Sequence, residues 1–363
     1  MKRLERELKR MAYGVARWGR PPAVELDTAR RRLIECAPRR ILVIRQDRRL
    51  GNLVLLTSLL AGLRAAFTAA RIDVVVPHLF ATVLDDHPAI DGLVRLDHRA
   101  CLRAPWRVAR LRRALRRPVV ADVAIDASPA HDFSLLGGLL CAGSAAPLRL
   151  GHARGEAASF LNVLVPAPAG RLHESRQLHA LLEALVPGAP PAPLPSIILT
   201  AAERQRACRA RQRWLPGGRP LVGLHPGGRR GKRWPVERFE EVARRLEAQG
   251  IAVLVLHGAA ERPLVDAMRE PGPTRIVAPP TGVRGLASLL GICDLFLSGD
   301  CGPMHLAAAL GVPCVAIFRV DDAWRYGPAG EGHRVMDDTT GRLDPAEVVA
   351  AVTARLADQR VTR

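Results

Sequence analysis

A glycine turn near residue 300 carries residue types that can bind a phosphate group. The run Ser-Gly-Asp-Cys-Gly-Pro ends at Pro303, and proline suits the first turn of a helix because it lacks an N–H. A helix that begins in such a turn directs unpaired N–H groups and its positive dipole end outward, where an anion can bind. Similar turns occur in parallel-sheet proteins that bind nothing there. Asp300 and His305 favour a ligand site, because core packing gives no reason for a histidine one turn into the helix.

A basic, glycine-rich loop comes earlier in the same half. Residues 225–235 read His-Pro-Gly-Gly-Arg-Arg-Gly-Lys-Arg-Trp-Pro and follow an apolar run. Gly227 and Gly228 permit a close approach of the backbone to an anion, and Lys232 supplies a positive charge for a phosphate or a ribose. The alternative is a basic surface loop without a ligand. We expect both loops at the carboxyl ends of strands in one domain, where a single diphosphate can contact both.

The elements that position these loops alternate between apolar strands and helices. In the first half, strands are predicted at 41–45, 72–76, 93–96, 119–125 and 147–150, with a helix over 53–67. In the second half, strands are predicted at 221–224, 251–256, 275–277, 293–297 and 312–318, with helices over 237–247, 261–269 and about 345–357. This alternation predicts an α/β protein with two Rossmann-like domains that face each other across a cleft.

Composition divides the chain into five parts. Five prolines between Pro187 and Pro195 exclude a helix or a central strand, so residues 187–200 are predicted to form a linker. The other parts are a basic helical extension (1–40), a first Rossmann-like domain (41–186), a second, anion-binding domain (201–345) and a C-terminal helix (346–363). Two such domains imply a ligand in the cleft between them.

The net charge of +19 indicates an anionic partner. Nucleic acid is disfavoured, because aromatic residues make up only 4% of the chain and no RNA-recognition or zinc-finger motif occurs. The seven cysteines are odd in number and contain no Cys-x-x-Cys pair, which argues against zinc and against a disulfide framework. No apolar run approaches the ~20 residues of a membrane-spanning helix, and the N-terminus lacks the apolar core of a signal peptide. We therefore expect a cytoplasmic protein without a bound metal or cofactor.

The first 18 residues have the spacing of an amphipathic helix. Leu4, Leu8, Met11, Val15 and Trp18 recur at helical intervals, with lysines and arginines around them. Such a helix can lie on the anionic inner face of the inner membrane or dock on the surface of the protein itself. Amphipathicity alone does not separate these two alternatives.

The sequence Ser-Gly-Asp-Cys-Gly-Pro-Met-His-Leu-Ala-Ala-Ala-Leu-Gly-Val-Pro resembles the signature of glycosyltransferase family 9, the lipopolysaccharide heptosyltransferases. The order His-Pro-Gly, Lys-Arg-Trp-Pro, then Val-Leu-His-Gly-Ala-Ala-Glu-Arg is similar to the donor half of that family. The resemblance implies the two-domain GT-B fold and a metal-independent, inverting transfer of a sugar from a nucleotide-sugar donor. It also implies an anionic glycolipid acceptor. Cys301 stands where the family usually carries Ser or Thr.

The resemblance assigns donor-binding residues to the second domain. Those positions are His225, Gly227, Gly228, Lys232, Glu261, Asp300, Cys301, Gly302, Pro303, Met304 and His305. Lys232 and Glu261 match the family positions that hold the nucleotide ribose. Asp300 and His305, with the glycine turn, match those that hold the diphosphate and sugar. Glu261 has an alternative interpretation as a carboxylate at a helix N-terminus.

The first domain departs from the family at the expected base. Family members usually carry Gly-Asp at the start of the first helix, whereas this chain has Gly51-Asn52, and an amide cannot take up a proton at neutral pH. Asp47 is the nearest carboxylate, so it is predicted as the base, with Asn52 orienting the acceptor. The alternatives are that Asp47 only pairs with a neighbouring arginine, or that the chain binds the donor without efficient transfer. Acceptor contacts are predicted from the basic loops, at Arg48, Arg49, Arg149, His152 and Arg154.

We therefore expect a heptosyltransferase that uses ADP-heptose and a lipopolysaccharide core acceptor. Two alternatives remain open: the same fold acting on another sugar or acceptor, as in capsule or natural-product glycosylation, and a nucleotide-sugar-binding protein with impaired catalysis. The residues after the last strand, Arg319-Val-Asp-Asp-Ala, differ from the Gly-Pro-Thr-Asp-Pro that relatives often carry, which leaves the sugar undetermined.

Overall fold

The computed structural model describes residues 21–97, 119–268 and 274–362, together with 106, 110, 111, 113, 115–117 and 272. The chain forms two compact units. The first consists of the residues up to Arg48 and Leu55–Pro193, and the second of Arg49–Val54 and Leu194 onward. The boundary at Pro193 lies within the proline-rich segment 187–200, which contains no helix or strand.

The described part of the first unit contains a parallel sheet of six strands. These are β1 (Arg40–Ile44), β2 (Arg71–Pro77), β3 (Gly92–Leu96), β4 (Val123–Asp126), β5 (Leu148–His152) and β6 (Val163–Val165). Their order is β3-β2-β1-β4-β5-β6, so the first strand in sequence lies at the centre. The helices around it include α1 (Leu26–Glu35), α2 (Leu50–Ala66), α3 (Leu135–Ser144) and α4 (Glu174–Leu185). Every residue of β1 is buried, as expected for a central strand with helices on both faces.

Helix α2 is apolar over most of its circumference and is buried accordingly. Ser58 in this helix donates a hydrogen bond to the carbonyl of Pro193 at 2.5 Å. Gly62 faces the ring of His179 in α4, and Nε2 of that ring bonds to the carbonyl of Pro190 at 2.9 Å. The proline-rich segment is therefore held against the first unit by two side chains.

The second unit repeats the same topology. Its strands are β7 (Leu221–His225), β8 (Ala252–Val255), β9 (Arg275–Val277), β10 (Leu295–Gly299), β11 (Cys314–Phe318) and β12 (Arg334–Asp337). The order is β12-β11-β10-β7-β8-β9, with all neighbours parallel. The helices are α5 (Ala201–Trp214), α6 (Val236–Ala248), α7 (Arg262–Asp266), α8 (Val283–Leu290), α9 (Gly302–Ala309), α10 (Ala323–Tyr326) and α11 (Pro345–Thr362). The central strands β7 and β10 are buried throughout and place their carboxyl ends side by side.

Helix α5 begins with a reciprocal cap. The Thr200 hydroxyl accepts the N–H of Glu203 at 3.2 Å, and the Glu203 carboxylate accepts the N–H of Thr200 at 2.8 Å. Arg284 in α8 donates two further bonds to the same carboxylate. The bond from Arg284 is the main reason that the pKa of Glu203 is lowered to about 2. The cap thus ties α5 to α8 through a charged pair.

The predicted α/β class with two doubly wound sheets is confirmed, and the structure corrects several element boundaries. The predicted strand 119–125 is wrong at its start, because Val119 and Val120 are exposed and pairing begins at Val123. The helix predicted over 261–269 is limited to α7. Strands β6 and β12 were not foreseen. The first has only three residues, and the second is an edge strand whose charged ends resemble a loop.

The predicted helix over residues 1–18 lies outside the described residues. Among the described helices, none combines the length and apolarity needed to cross a membrane. Within the same part of the chain, no group of three or more His, Cys, Asp or Glu side chains is arranged to hold a metal ion.

Candidate donor and acceptor sites

The two glycine loops of the second unit leave adjacent central strands at the same edge of the sheet. Ser298 in β10 pairs with His225, the last residue of β7. Because parallel strands end at one edge, the loop after His225 and the turn after Gly299 emerge as neighbours. The predicted convergence of the two loops is therefore present in the structure.

Lys232 joins the two loops through its ammonium group. Its Nζ donates to Oδ2 of Asp300 at 2.5 Å and also to Asp322, which precedes α10. Burial opposes the charge on Lys232, but the two carboxylates outweigh this and raise the pKa of Lys232. Burial raises the pKa of Asp300, although Lys232 partly offsets the effect. The ring of Tyr326 lies 5.9 Å from the same ammonium. The result is a partly buried cation between the two predicted phosphate-binding segments.

His225, Gly227 and Glu261 lie in direct contact. Nδ1 of His225 bonds to the carbonyl of Leu256 at 2.8 Å, and burial lowers the pKa of His225. A Cβ atom on Gly227 would lie 2.5 Å from Nε2 of His225 and 2.6 Å from Cγ of Glu261. Glu261 in turn accepts the N–H of Gly258 at 3.0 Å. Only glycine fits at 227 without moving the histidine or the glutamate.

Helix α9 begins at the second turn, as the sequence predicted. Cys301 precedes the helix in an extended conformation, and its side chain makes no capping bond. Burial raises the pKa of its thiol to about 12, so the group is neutral at physiological pH. Pro303 lies in the first turn, while Met304 and His305 are buried. The first N–H groups of the helix have no partner further back in the helix, so this end can receive an anion.

Residues at the start of α2 belong to the second unit and pack on this turn. A Cβ atom on Gly51 would lie 2.4 Å from Cδ2 of His305, and one on Gly302 would lie 2.9 Å from Cβ of Leu50. Asn52, the residue at the family's usual base position, is buried in the same segment. The two glycines allow two helix N-termini to approach closely.

The predicted base Asp47 forms an ion pair that the sequence did not predict. Its Oδ2 accepts a hydrogen bond from Nε of Arg45, the residue that follows β1. The two adjacent arginines, Arg48 and Arg49, are exposed. A quarter of the Asp47 side chain is accessible to solvent.

The other predicted acceptor residues lie deeper than expected. His152 is completely buried and its Nε2 bonds to the carbonyl of Gln177 at 3.1 Å. Arg154 donates to Asp126 at 3.0 Å and to the carbonyl of Asp132, and it is largely enclosed. Arg149 is half-buried in the middle of β5. Of the five, Arg48 and Arg49 are the most exposed, and the acceptor role of the set stays a prediction.

Several charged residues near these sites were assigned no role from the sequence. They are Arg45, Asp126, Glu174 and Asp322. Arg45 and Asp126 each stand at the carboxyl end of a buried strand, and a charged residue at that position is a usable sequence signal. His173-Glu174 resembles a family segment that opens a helix, and Asp322 lies in the run Arg319-Val-Asp-Asp-Ala, but neither pattern predicts the partner of the carboxylate.

Comparisons with known proteins show which family and which relatives the chain is similar to. A model of the family described as glycosyltransferase family 9 (heptosyltransferase) matches residues 108–343. The chain is 31% identical to lipooligosaccharide heptosyltransferase 2 of Haemophilus influenzae over 116 residues, which are 30% of this chain and 34% of that protein. It is 31% identical to lipopolysaccharide heptosyltransferase 2 of Escherichia coli over 160 residues, 42% of this chain and 46% of the relative. These matched stretches thus span between a third and a half of each relative.

Solved structures share the fold. A family 9 glycosyltransferase from Veillonella parvula superposes with a TM-score of 0.78 at 22% identity, covering 88% of this chain and 98% of the other. ADP-heptose lps heptosyltransferase II of E. coli gives a TM-score of 0.72 at 23% identity, with 88% and 99% covered. At these identities the likeness establishes the fold alone.

Proposed function

This chain belongs to glycosyltransferase family 9, the heptosyltransferase family, and on that premise we propose that it transfers a heptose from ADP-heptose to a lipopolysaccharide core acceptor. The relatives that support the substrates are named lipopolysaccharide or lipooligosaccharide heptosyltransferases. A similar solved structure, E. coli heptosyltransferase WaaC, is described with ADP, which supports the adenine nucleotide.

The observation that carries the proposal is the bond between Lys232 and Asp300. It joins the loop after β7 to the turn before α9, so a diphosphate at the N-terminus of α9 lies within reach of one fixed ammonium. The second unit therefore supplies the donor site.

In the proposed reaction the acceptor hydroxyl forms a bond to the anomeric carbon of the heptose. The bond from that carbon to the β-phosphate oxygen breaks, and ADP leaves with the electron pair. The acceptor proton passes to Asp47. Lys232 and the N–H groups of α9 stabilise the charge that develops on the departing diphosphate, which lowers the barrier more than they lower the energy of bound donor. Inversion at the anomeric carbon follows from a single displacement.

The test is incubation of the chain with ADP-heptose and deep-core lipopolysaccharide. We expect ADP release together with a mass gain of one heptose on the acceptor. Lys232→Gln should abolish both products, whereas Arg230→Gln, which removes an exposed charge from the same loop, should not. ADP-heptose binding without any mass gain would contradict the proposal.

Asn52 favours a second candidate, a nucleotide-sugar-binding protein with impaired catalysis. This residue replaces the carboxylate that family members usually carry, and an amide takes up no proton at neutral pH. The same incubation distinguishes the two, because a binding protein gives a measurable ADP-heptose affinity and no release of ADP.

We also propose that the chain works at the cytoplasmic face of the inner membrane, where the basic, amphipathic residues 1–18 would contact anionic lipid. Co-sedimentation with vesicles that contain phosphatidylglycerol tests this contact. We expect binding that weakens with salt and that disappears when residues 1–20 are removed. Equal binding to neutral phosphatidylcholine vesicles would contradict it.

A further inference from the structure

Arg45 lies at the centre of a buried network at the carboxyl edge of the first sheet. Each of its three side-chain nitrogens contacts a different segment of the first unit. Nε donates to Asp47, Nη1 donates to the carbonyl of Ala127 at 2.6 Å, and Nη2 lies 3.5 Å from Oε1 of Glu174. The guanidinium is completely buried, so these contacts leave it no other orientation.

The carboxylates of this network differ in access to solvent. Glu174, in the first turn of α4, is 1% exposed, and Asp126, bonded to Arg154 at 3.0 Å and to Ser128 at 2.6 Å, is not exposed at all. Asp47 is 25% exposed. A base must reach the hydroxyl that it deprotonates, and of these three acids only Asp47 meets that requirement.

We infer that Arg45 and Glu174 are positioning residues for Asp47 as the base, replacing the carboxylate absent at Asn52. Arg45 fixes the direction of the Asp47 carboxylate through a bond to Oδ2. Glu174 contacts Nη2 of the same guanidinium and helps to hold Arg45 in this orientation. This role rests on the glycosyl transfer proposed above.

Other charged groups near this network are the same in every variant. They are Arg48 and Arg49, which follow Asp47 in the chain, and Asp126 and Arg154, whose charges interact with Arg45. Removing a positive charge beside a carboxylate makes it bind a proton more tightly, and removing a negative charge has the opposite effect. The two positioning residues are therefore tested by removing the charge of one of them at a time.

The experiment measures the pH dependence of kcat/KM for heptose transfer in four variants. Arg45→Gln should lower kcat about 100-fold. It should also move the acid limb of the pH profile, where activity falls as the base is protonated, to higher pH by about one unit. Glu174→Gln should move the limb the other way, to lower pH, with a smaller loss of kcat. Arg45→Lys should keep the limb near its original place. Arg95→Gln, which breaks an exposed ion pair with Asp85 in the same unit, should change neither limb nor rate.

A second readout does not depend on turnover. The ¹³C signal of the Asp47 carboxyl, assigned by its loss in Asp47→Asn, can be titrated in each variant and should move in the same two opposite directions. ADP affinity should remain unchanged in all variants, because the donor residues lie in the second unit.

Opposite shifts support the inference. Two results overturn it and assign the network a structural role. One is a loss of activity without any shift in the acid limb of the pH profile. The other is a shift in the same direction for Arg45→Gln and Glu174→Gln. If the unaltered chain transfers no heptose, the proposed function fails, and the carboxyl titration still decides whether Arg45 and Glu174 control Asp47.

Discussion

The Nζ atom of Lys232 lies 2.5 Å from Oδ2 of Asp300, across 68 residues of sequence. Both residues come from loops that follow neighbouring central strands, and the same ammonium also bonds to Asp322. A lysine held between two carboxylates stays charged and is fixed before a ligand arrives. A ligand that binds to such a preorganised cation avoids an ordering cost.

Removal of the Lys232 charge should weaken ADP binding by about 10- to 100-fold, the range for a lost charge-assisted hydrogen bond. Isothermal calorimetry with Lys232→Gln measures this change. Arg230→Gln is the matched control, because it removes a charge of the same sign two residues away from an exposed side chain. Equal losses in the two variants would mean that only the overall charge of the loop matters.

Gly227→Ala should reduce donor affinity, because the added Cβ would meet His225 and Glu261 at 2.5 and 2.6 Å. One of these side chains must move away from the donor loop. Gly231→Ala is the control from the same loop, since a Cβ there meets no atom within 4 Å. Titration of both variants with ADP checks the difference, and an unchanged affinity for Gly227→Ala would show that the close packing is dispensable.

Cys301→Thr should raise ADP affinity by a few-fold. The threonine hydroxyl can donate to a phosphate, whereas the partly buried thiol with a pKa of about 12 is a weak donor. For the same reason Cys301 should react slowly with iodoacetamide at pH 7.5 in comparison with the exposed Cys36 and Cys208. Mass spectrometry of alkylated peptides measures the rates, and rapid labelling of Cys301 would contradict the raised pKa of its thiol.

Glu203→Gln should destabilise the protein by about 1 to 2 kcal/mol at pH 7, because it weakens both the cap of α5 and the pair with Arg284. The pKa of Glu203 is about 2 in the folded protein, below its ordinary value of 4.5. Its contribution is therefore complete above about pH 4.5 and is lost as the pH falls toward 2.

Urea unfolding of Glu203→Gln and of the unaltered chain at pH 7, 5, 4 and 3 tests this dependence. The difference in free energy of unfolding should shrink steadily below pH 4.5. Exposed Glu237, in the first turn of α6, is the control, and Glu237→Gln should cost little at any pH. A difference that stays constant with pH would remove the charge of Glu203 as the cause.

The sequence-based predictions were accurate for features that depend on a few consecutive residues, and less accurate for features that depend on residues far apart in the chain. Strands β1, β7 and β11 are continuous apolar runs, and the two donor loops are marked by glycines and prolines within a few residues. These features were predictable because buried strands and tight turns restrict residue types locally. Strands β6 and β12 escaped prediction because a short strand at a sheet edge needs few apolar residues.

The sequence by itself determined the fold class, the positions of the two glycine loops and the absence of a carboxylate at Asn52. The tertiary structure alone decided which charges meet: Asp322 with Lys232, Glu174 with Arg45 across 129 residues, and Asp47 with Arg45. It also decided that His152 and Arg154 are enclosed. The physical reason is that backbone preferences act between adjacent residues, whereas burial and ion pairing depend on which strand ends the sheet order brings to one edge.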